Sequence, residues 1–397
     1  MNKKISVGAA IMLMALTAAL AVTVTILLSL KAVNRNLVSF SAREALFQKL
    51  SDVDAKVRAK YVGKIDEQTL QDSVIEGYMK GIGDKYGSYL AASAYKNIEM
   101  DLQGKGMGIG VNVIENSSGY LQVVSVIKGS PAQQEGLQSG DVIIRVGDSD
   151  VKALGYAAAV NQLKGDAGTK AVFTVRRAGV EIPFSIVRRQ FQSQTVESRM
   201  IGEVGYARIV EFDSNTDEQF SSQVDALIKK GAKGIVFDVR NNPGGLLDSA
   251  EKMIDKIVPA GPVVRAKYKG GAIKVLYTSD ASQISLPMAV LTNQNTASAA
   301  ELFTSALKDY GKAKSVGTKT YGKGTMQTIF DLNDGTALDL SIAYFYPPKS
   351  SNFEGKGVLP DIVSDLSRDK QQKFYELSDS EDDQLQAALH YVQSLIG

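Results

Sequence analysis

A serine and a lysine in the second half of the chain have the residue types and spacing for nucleophilic chemistry. Ser298 lies in a turn of small residues, Thr296-Ala297-Ser298-Ala299-Ala300, before an apolar run of helical character. Lys323 follows 25 residues later, between two glycines. The chain has no cysteine and a single histidine, His390. The sequence therefore favours a Ser-Lys pair over a Ser-His-Asp triad.

A lysine that acts as a general base must be neutral. Unperturbed, with a pKa of about 10.4, it is neutral in only about one molecule in a few thousand at pH 7. Burial can lower that pKa by about 3–5 units. The segment Tyr321-Gly322-Lys323-Gly324-Thr325-Met326-Gln327 contains no acid, so we expect a dry site without a carboxylate partner. The uncharged Gln327 could orient the amine.

Two strand-to-helix turns could stabilise the oxyanion of an acyl-transfer reaction. One donor would be the backbone N–H of Ala299, directly after the serine. The other would be the N–H of Gly244 or Gly245, in Arg240-Asn241-Asn242-Pro243-Gly244-Gly245. Glycine permits close backbone approach, and a helix N-terminus adds favourable potential.

Alternating strands and helices position these turns. Gly234 to Val239 and Met288 to Leu291 are continuous apolar runs, typical of strands buried on both faces. Helices are predicted over Asp217 to Lys230 and Leu246 to Ile257. This alternation predicts an α/β domain over residues 190–370.

A smaller, strand-rich region with two short helices precedes this domain, over residues 101–189. Its segments GMGIGV (106–111) and GSPAQQEGLQSGDVIIRVGD (129–148) resemble a PDZ domain of the type found in bacterial proteases. The resemblance implies that Gly106, Met107, Gly108, Ile109 and Gly110 present backbone N–H groups to the carboxylate of a peptide, which adds as a strand at the sheet edge. The alternative is that these glycines only make tight turns.

Four further segments resemble the carboxyl-terminal processing proteases, a group of PDZ-containing serine peptidases of the S41 type. They are VFDVRNNPGGLL (236–247), VLTNQNTASAAELFTSALKDYG (290–311), VGTKTYGKGTMQ (316–327) and DGTALDLSIAYFYPP with GKGVLPDI (334–348 and 355–362). The resemblance implies a multidomain α/β protein whose peptidase core is of the ClpP/crotonase-like kind. It implies Ser298 as nucleophile, Lys323 as base and Gln327 as the residue that orients the lysine. It also suggests PDZ-gated cleavage near polypeptide C-termini and homodimers. Lys164 stands where the family commonly has an arginine that couples the domains.

The N-terminus bears on the compartment. Met1-Asn2-Lys3-Lys4 is followed by 26 uncharged, mostly apolar residues, Ile5 to Leu30, and a bilayer needs about 20. We therefore expect residues 1–30 to be a single-pass membrane anchor, or else a cleaved signal, with the catalytic part outside the cytoplasm. Residues 41–100 are predicted to be helical, with one apolar face formed by Leu46, Leu50, Val53, Val57 and Tyr61. That face could pack on the peptidase or on another subunit.

Composition excludes other classes of protein. The net charge is +2 and no long basic run occurs, so nothing indicates nucleic-acid binding. No cluster of His, Asp and Glu has metal-ligand spacing, and no metal or cofactor is expected. An acidic linker and a short amphipathic helix are predicted over residues 371–397, with His390 on the helix surface.

Several alternatives compete with the peptidase interpretation. Ser298 could be an ordinary helix N-cap, and Lys323 a charge in an exposed loop. Gly317 to Gly324 nearly spells a Walker A loop, but Gly324 stands where Ser or Thr should hold magnesium. Ser305-Ala306-Leu307-Lys308 matches the S-x-x-K of penicillin-binding proteins without its companion motifs. The chain could also be a non-catalytic, PDZ-containing envelope scaffold.

Overall fold

The computed structural model describes residues 7–116 and 118–396, and the chain divides into two compact units between Ser73 and Val74. The N-terminal region is mostly helical, but the prediction of helix over residues 41–100 missed a short strand, Ser88–Leu90. Its elements are α1 (Val7–Lys60), α2 (Glu67–Ile82), β1 (Ser88–Leu90) and α3 (Ala92–Leu102).

Helix α1 carries the apolar face predicted from its periodicity. All five side chains of that face are exposed: Leu46, Leu50, Val53, Val57 and Tyr61. Among the described residues, no helix combines the length and apolar composition needed to cross a membrane. The anchor predicted over residues 1–30 is therefore not supported, and its first six residues lie outside the described part. The location outside the cytoplasm and the homodimer stay predictions.

The following region is β-rich, as the sequence predicts, and its described residues form three short helices where two were predicted. Its elements are β2 (Lys105–Gly108), β3 (Val111–Glu115), β4 (Leu121–Val126), α4 (Pro131–Gln134), β5 (Val142–Val146), β6 (Ser149–Asp150), α5 (Val151–Leu154), α6 (Tyr156–Leu163), β7 (Lys170–Arg177), β8 (Val180–Val187) and β9 (Arg189–Gln192). The strand order is β3-β4-β5-β7-β8, with β6 on β5, while β2 pairs separately with β9. Leu121, Ile143 and Phe173 anchor its own hydrophobic core. Strand β3 lies at the sheet edge, where a peptide strand can add.

The rest of the chain has alternating strands and helices, and its C-terminal helix, predicted as a separate segment over residues 371–397, packs on the same sheet. Its strands are β10 (Val196–Ile201), β11 (Val204–Ile209), β12 (Gly234–Asp238), β13 (Gly261–Tyr268), β14 (Lys274–Ser279), β15 (Met288–Thr292), β16 (Ala313–Gly317), β17 (Thr325–Asp331), β18 (Ala337–Tyr346) and β19 (Ile362–Val363). Its helices are α7 (Thr216–Lys229), α8 (Leu247–Asp255), α9 (Ala299–Asp309), α10 (Arg368–Gln372) and α11 (Asp383–Ile396), with a 3₁₀ turn at Phe374–Glu376.

A six-stranded sheet, in the order β10-β11-β12-β15-β16-β19, forms the middle layer of this domain. Helices α7, α8 and α9 cover one face, where Phe220, Phe237 and Phe303 pack ring against ring. Helix α11 covers the other face. Every residue of β12 and β15 is buried, which explains their uninterrupted apolar sequence. Strands β12, β15 and β16 run parallel, so the loops that follow them meet at one sheet edge.

A second sheet, in the order β1-β18-β13-β14 with β17 also paired to β18, supports the loop after β16. Its β17 begins two residues after Lys323, and β1 joins it from the N-terminal region by pairing antiparallel to β18. The loop that carries Lys323 therefore connects the two sheets.

Candidate active site

Ser298 lies in the connection from β15 to α9 and directly precedes the first residue of that helix, Ala299. Its backbone angles are φ 55° and ψ −118°. An ordinary N-cap serine has an extended backbone, whereas a positive φ is rare outside glycine and costs about 1–3 kcal/mol. Such strain is concentrated at functional sites. Ser298 occupies the N-cap position, but its conformation is not that of a simple capping residue.

The glycine turn after β12 packs directly on the serine turn. A Cβ built on Gly244 would lie 2.7 Å from Ser298 Cβ and 3.0 Å from Ala299 N. On Gly245 it would meet the Phe212 carbonyl oxygen at 2.1 Å. Both glycines have positive φ, 103° and 132°. Only glycine therefore fits either position.

The hydrogen bonds of this turn distinguish the two proposed oxyanion donors. The Gly244 N–H donates to Asn242 Oδ1 at 2.8 Å, and the Asn242 carbonyl accepts from Ala297 N–H at 2.9 Å. Because Gly244 is engaged in this way, Gly245 is the better partner for Ala299 in an oxyanion site.

Lys323 lies in the loop between β16 and β17, partly buried beside a neutral partner. Its Nζ donates to Gln327 Oε1 and lies 5.0 Å from the centre of the Tyr86 ring. Burial lowers the pKa of Lys323; the carboxylates of Asp339, Glu354 and Asp84 act in the opposite direction without overcoming it. The site excludes water only in part, because the Lys323 side chain remains partly exposed. The expected freedom from carboxylates holds only for the local segment, because these three acids come from elsewhere in the chain.

Glu301 joins the serine and lysine segments, and the sequence reasoning missed it. This fully buried residue accepts from Ser298 N–H at 2.9 Å and from Lys323 N–H at 2.8 Å, both through Oε2. Its Oε1 accepts from Gly322 N–H at 2.7 Å and from the Thr320 hydroxyl at 2.5 Å. Burial raises the pKa of Glu301, and these four donors oppose that rise. The S-x-x-E spacing of a capping box was the available signal.

Glu301 Oε2 brings together the backbone N–H groups of Ser298 and Lys323. Within the described residues, no hydrogen bond joins Ser298 Oγ to Lys323 Nζ. Catalytic hydrogen bonds are often long in unliganded enzymes and tighten when substrate binds.

Asp84 and Tyr86, which precede β1, also contribute to the surroundings of Lys323. The Tyr86 carbonyl accepts from Gln327 Nε2 at 2.6 Å, and the Tyr86 hydroxyl donates to Glu354 Oε1 at 3.0 Å. Asp84 accepts from the backbone N–H of Ser341 at 2.8 Å. Sequence analysis assigned these residues to the helical region and did not connect them to the site.

The segment from Gly106 to Gly110 lines a cavity of about 210 Å³ in the small domain. It was predicted as a loop, but Gly106, Met107 and Gly108 belong to strand β2, and only Ile109 and Gly110 lie in the connection to β3. The other walls of the cavity include Val111 and Val113 on β3 and Val160 and Leu163 on α6. Gly108 and Gly110 have positive φ, 144° and 81°. An apolar groove between an edge strand and a helix, with a glycine-rich segment at its end, suits an extended peptide.

The structure argues against the rival motifs. Gly317 to Gly324 leads into strand β17 rather than the helix that a P-loop requires. Ser305 and Lys308 lie within α9, where Lys308 Nζ donates to Ser315 Oγ and the Leu359 carbonyl. His390 is exposed on α11, as predicted.

Comparison with known proteins identifies the family. Peptidase family S41 matches residues 203–364, and the PDZ domain matches residues 97–175. The carboxy-terminal processing protease CtpA of Bacillus subtilis is 33% identical over 331 residues, covering 83% of this chain and 71% of that protein. The "Probable CtpA-like serine protease" of Staphylococcus aureus (strain MSSA476) is 34% identical, covering 82% of this chain and 66% of its own length.

Among solved structures, the photosystem II D1 C-terminal processing protease is similar. The match has a TM-score of 0.51 at 25% identity, and it covers 82% of this chain and 90% of that one. The mixed α/β fold with a PDZ domain is confirmed. The chain belongs to peptidase family S41, as a serine-type peptidase of the carboxyl-terminal processing group.

Proposed function

We propose that this peptidase cleaves polypeptides near their C-terminal ends by a Ser-Lys mechanism, with Ser298 as nucleophile, Lys323 as general base and Gln327 orienting the lysine. One observation carries the proposal: a single carboxylate oxygen of Glu301 binds the backbone N–H of both Ser298 and Lys323. The lysine amine is also partly buried on a neutral amide.

The chemistry follows from this arrangement. Neutral Lys323 Nζ takes the Ser298 hydroxyl proton while Oγ bonds to the scissile carbonyl carbon, and the oxyanion accepts hydrogen bonds from Ala299 and Gly245 N–H. The protonated lysine then gives its proton to the leaving amine. Water releases the second product from the acyl-enzyme by the same base.

The PDZ domain supplies substrate selection. The segment Gly106–Gly110 would bind the terminal carboxylate, and β3 would pair with the peptide strand beside the apolar wall of Val160 and Leu163. Binding of a peptide in this groove would also gate cleavage. The hydrogen bond between Ser298 and Lys323, which is not formed in this structure, would then form only when substrate is bound.

The test compares the wild type with Ser298→Ala on matched peptides that have free or amidated C-termini. We expect cleavage of the free-carboxylate peptides by the wild type alone, with amidation reducing kcat/KM at least about tenfold through lost charge-assisted hydrogen bonds. Cleavage by Ser298→Ala would refute the nucleophile. Equal rates on both peptides would refute C-terminal recognition, and binding without any cleavage would support the scaffold alternative.

A further inference from the structure

Asp339, on β18, lies directly behind the glutamine that holds the catalytic lysine. Its Oδ2 accepts from Gln327 Nε2 at 2.9 Å. Its Oδ1 is buried, and in the described part of the chain it has no hydrogen-bond partner. It lies in the segment DGTALDLSIAYFYPP (334–348), to which the family resemblance assigned no site residue.

The contacts of Gln327 leave its amide only one orientation. Nε2 donates its two hydrogens to the Tyr86 carbonyl, at 2.6 Å, and to Asp339 Oδ2, at 2.9 Å. The Tyr86 carbonyl can only accept a hydrogen bond, and the Asp339 carboxylate can only accept one when it is ionised. A flipped amide would place Oε1 against two acceptors, so Oε1 must face Lys323 Nζ.

The other charged groups around Lys323 are already committed to backbone or hydroxyl donors. Asp84 accepts from the Ser341 N–H and hydroxyl, and Glu354 accepts from Gly324 N–H and the Tyr86 hydroxyl.

Two further charged residues complete the surroundings of the lysine. Glu301 is committed to the four donors of the serine and lysine turns. Lys85 lies over the rings of Tyr86 and Tyr321, 4.8 Å and 5.1 Å from their centres. Asp339 is the nearby carboxylate that retains an unpartnered buried oxygen.

We propose that Asp339 is a positioning residue that fixes the Gln327 amide and stabilises the protonated lysine formed during catalysis. The inference rests on the proposed Ser-Lys function. When the proton moves from Ser298 Oγ to Lys323 Nζ, an ammonium appears in a partly dry site, and the Asp339 carboxylate balances it through Gln327. Burial raises the pKa of Asp339, and Lys323 opposes that rise, so the two groups interact electrostatically.

The decisive variant is Asp339→Asn in the full chain, which keeps an acceptor for Gln327 and removes the charge. Activity needs neutral Lys323, so kcat/KM rises as pH rises through the lysine pKa. Without the carboxylate that pKa falls, and we expect this acid limb to move down by about one pH unit. The plateau kcat should fall about tenfold because the lysinium loses its counter-charge.

Two controls separate a charge effect from damage to the fold. Asp339→Glu keeps the charge and should return the acid limb toward its wild-type position. Asp148→Asn removes an exposed charge from the β5–β6 turn and should leave the profile unchanged.

The outcomes also separate this inference from the proposed function. If Lys323→Ala is inactive but Asp339→Asn has the wild-type profile and kcat, the Asp339 role is overturned and the lysine mechanism stands. An active Lys323→Ala variant overturns the mechanism itself. Should Asp339→Asn fail to fold, Asp339→Ser decides, because it also removes the charge: an acid limb moved to lower pH supports the proposal, and an acid limb at the wild-type position overturns it.

Discussion

The loops after β12 and β16 each hold a buried or partly buried cation, and they treat it in opposite ways. Arg240 is almost fully buried and paired with two carboxylates: its Nη2 lies 2.6 Å from Asp238 Oδ2 and 2.7 Å from Asp382 Oδ2. Gln384 and the Phe374 ring complete its surroundings. Lys323 instead donates to a neutral amide, with carboxylates acting on it from further away.

The pKa directions follow from these partners. Burial alone would lower the pKa of Arg240, but Asp238 and Asp382 outweigh it and raise that pKa above its usual range. For Lys323 burial prevails and lowers the pKa. A paired guanidinium stays charged and links the loop after β12 to the start of α11, whereas a lysine on an amide can give up its proton. The two loops thus differ in what they do with a cation: one keeps it paired with carboxylates, and the other holds it on a neutral amide.

Replacing Lys323 by a cation that cannot lose its proton should cause the largest loss of activity. Lys323→Arg keeps the positive charge but cannot release a proton, so we expect kcat/KM to fall at least about 1,000-fold. Steady-state cleavage of a peptide with a free C-terminus measures this. Lys319→Arg, an exposed lysine in the same loop, is the matched control and should retain full activity. Comparable activity of the two variants would contradict the base assignment.

Breaking the first cation's pairing should affect stability instead. Asp382→Ala removes one partner of a buried guanidinium, and we expect the free energy of unfolding to fall by about 3 kcal/mol. Asp379→Ala breaks the exposed pair with Arg199 and should cost less than about 1 kcal/mol. Urea unfolding of both variants gives the comparison. Equal losses would show that Arg240 needs only Asp238.

The contrast between the two loops also shows what sequence can predict. Buried strands and amphipathic helices follow from local pattern: α7 lies within one residue of its predicted bounds, and β12 ends one residue before its predicted end. Ser298, Lys323 and Gln327 stood out by type and spacing. Glu301 left a local capping signal, but Tyr86 and Asp339 left none. Periodicity reports that a side chain is buried, not which distant residue it meets.

Glu211 provides a third case, a carboxylate surrounded by like charge. It follows β11, lines the cavity beside Gly106 to Gly110, and is partly buried. Burial, with the neighbouring charges of Asp213 and Asp101, raises the pKa of Glu211 to about 7. Lys164 lines the same cavity and acts on Asp101. Unlike Arg240 and Lys323, this residue has neither an opposite charge nor an amide as its main partner.

This carboxylate should therefore give stability a pH dependence of defined sign. A raised pKa means that the folded state binds the proton more tightly than the unfolded chain. The stabilisation is fully present below about pH 4.5, the ordinary value for glutamate, and is lost as pH rises through about 7. Glu211→Gln mimics the neutral acid and removes this dependence. Between pH 5 and 7.5, the wild type should lose about 1–2 kcal/mol more stability than the variant.

Urea unfolding midpoints at these two pH values measure the difference. Glu218→Gln, an exposed acid in the first turn of α7, is the matched control and should follow the wild type. If Glu211→Gln loses as much stability as the wild type over this interval, Glu211 is ionised throughout and its like-charge neighbours are too well solvated to matter. In that case the three residues would differ in what sets their protonation: carboxylate partners for Arg240, burial for Lys323, and contact with solvent for Glu211.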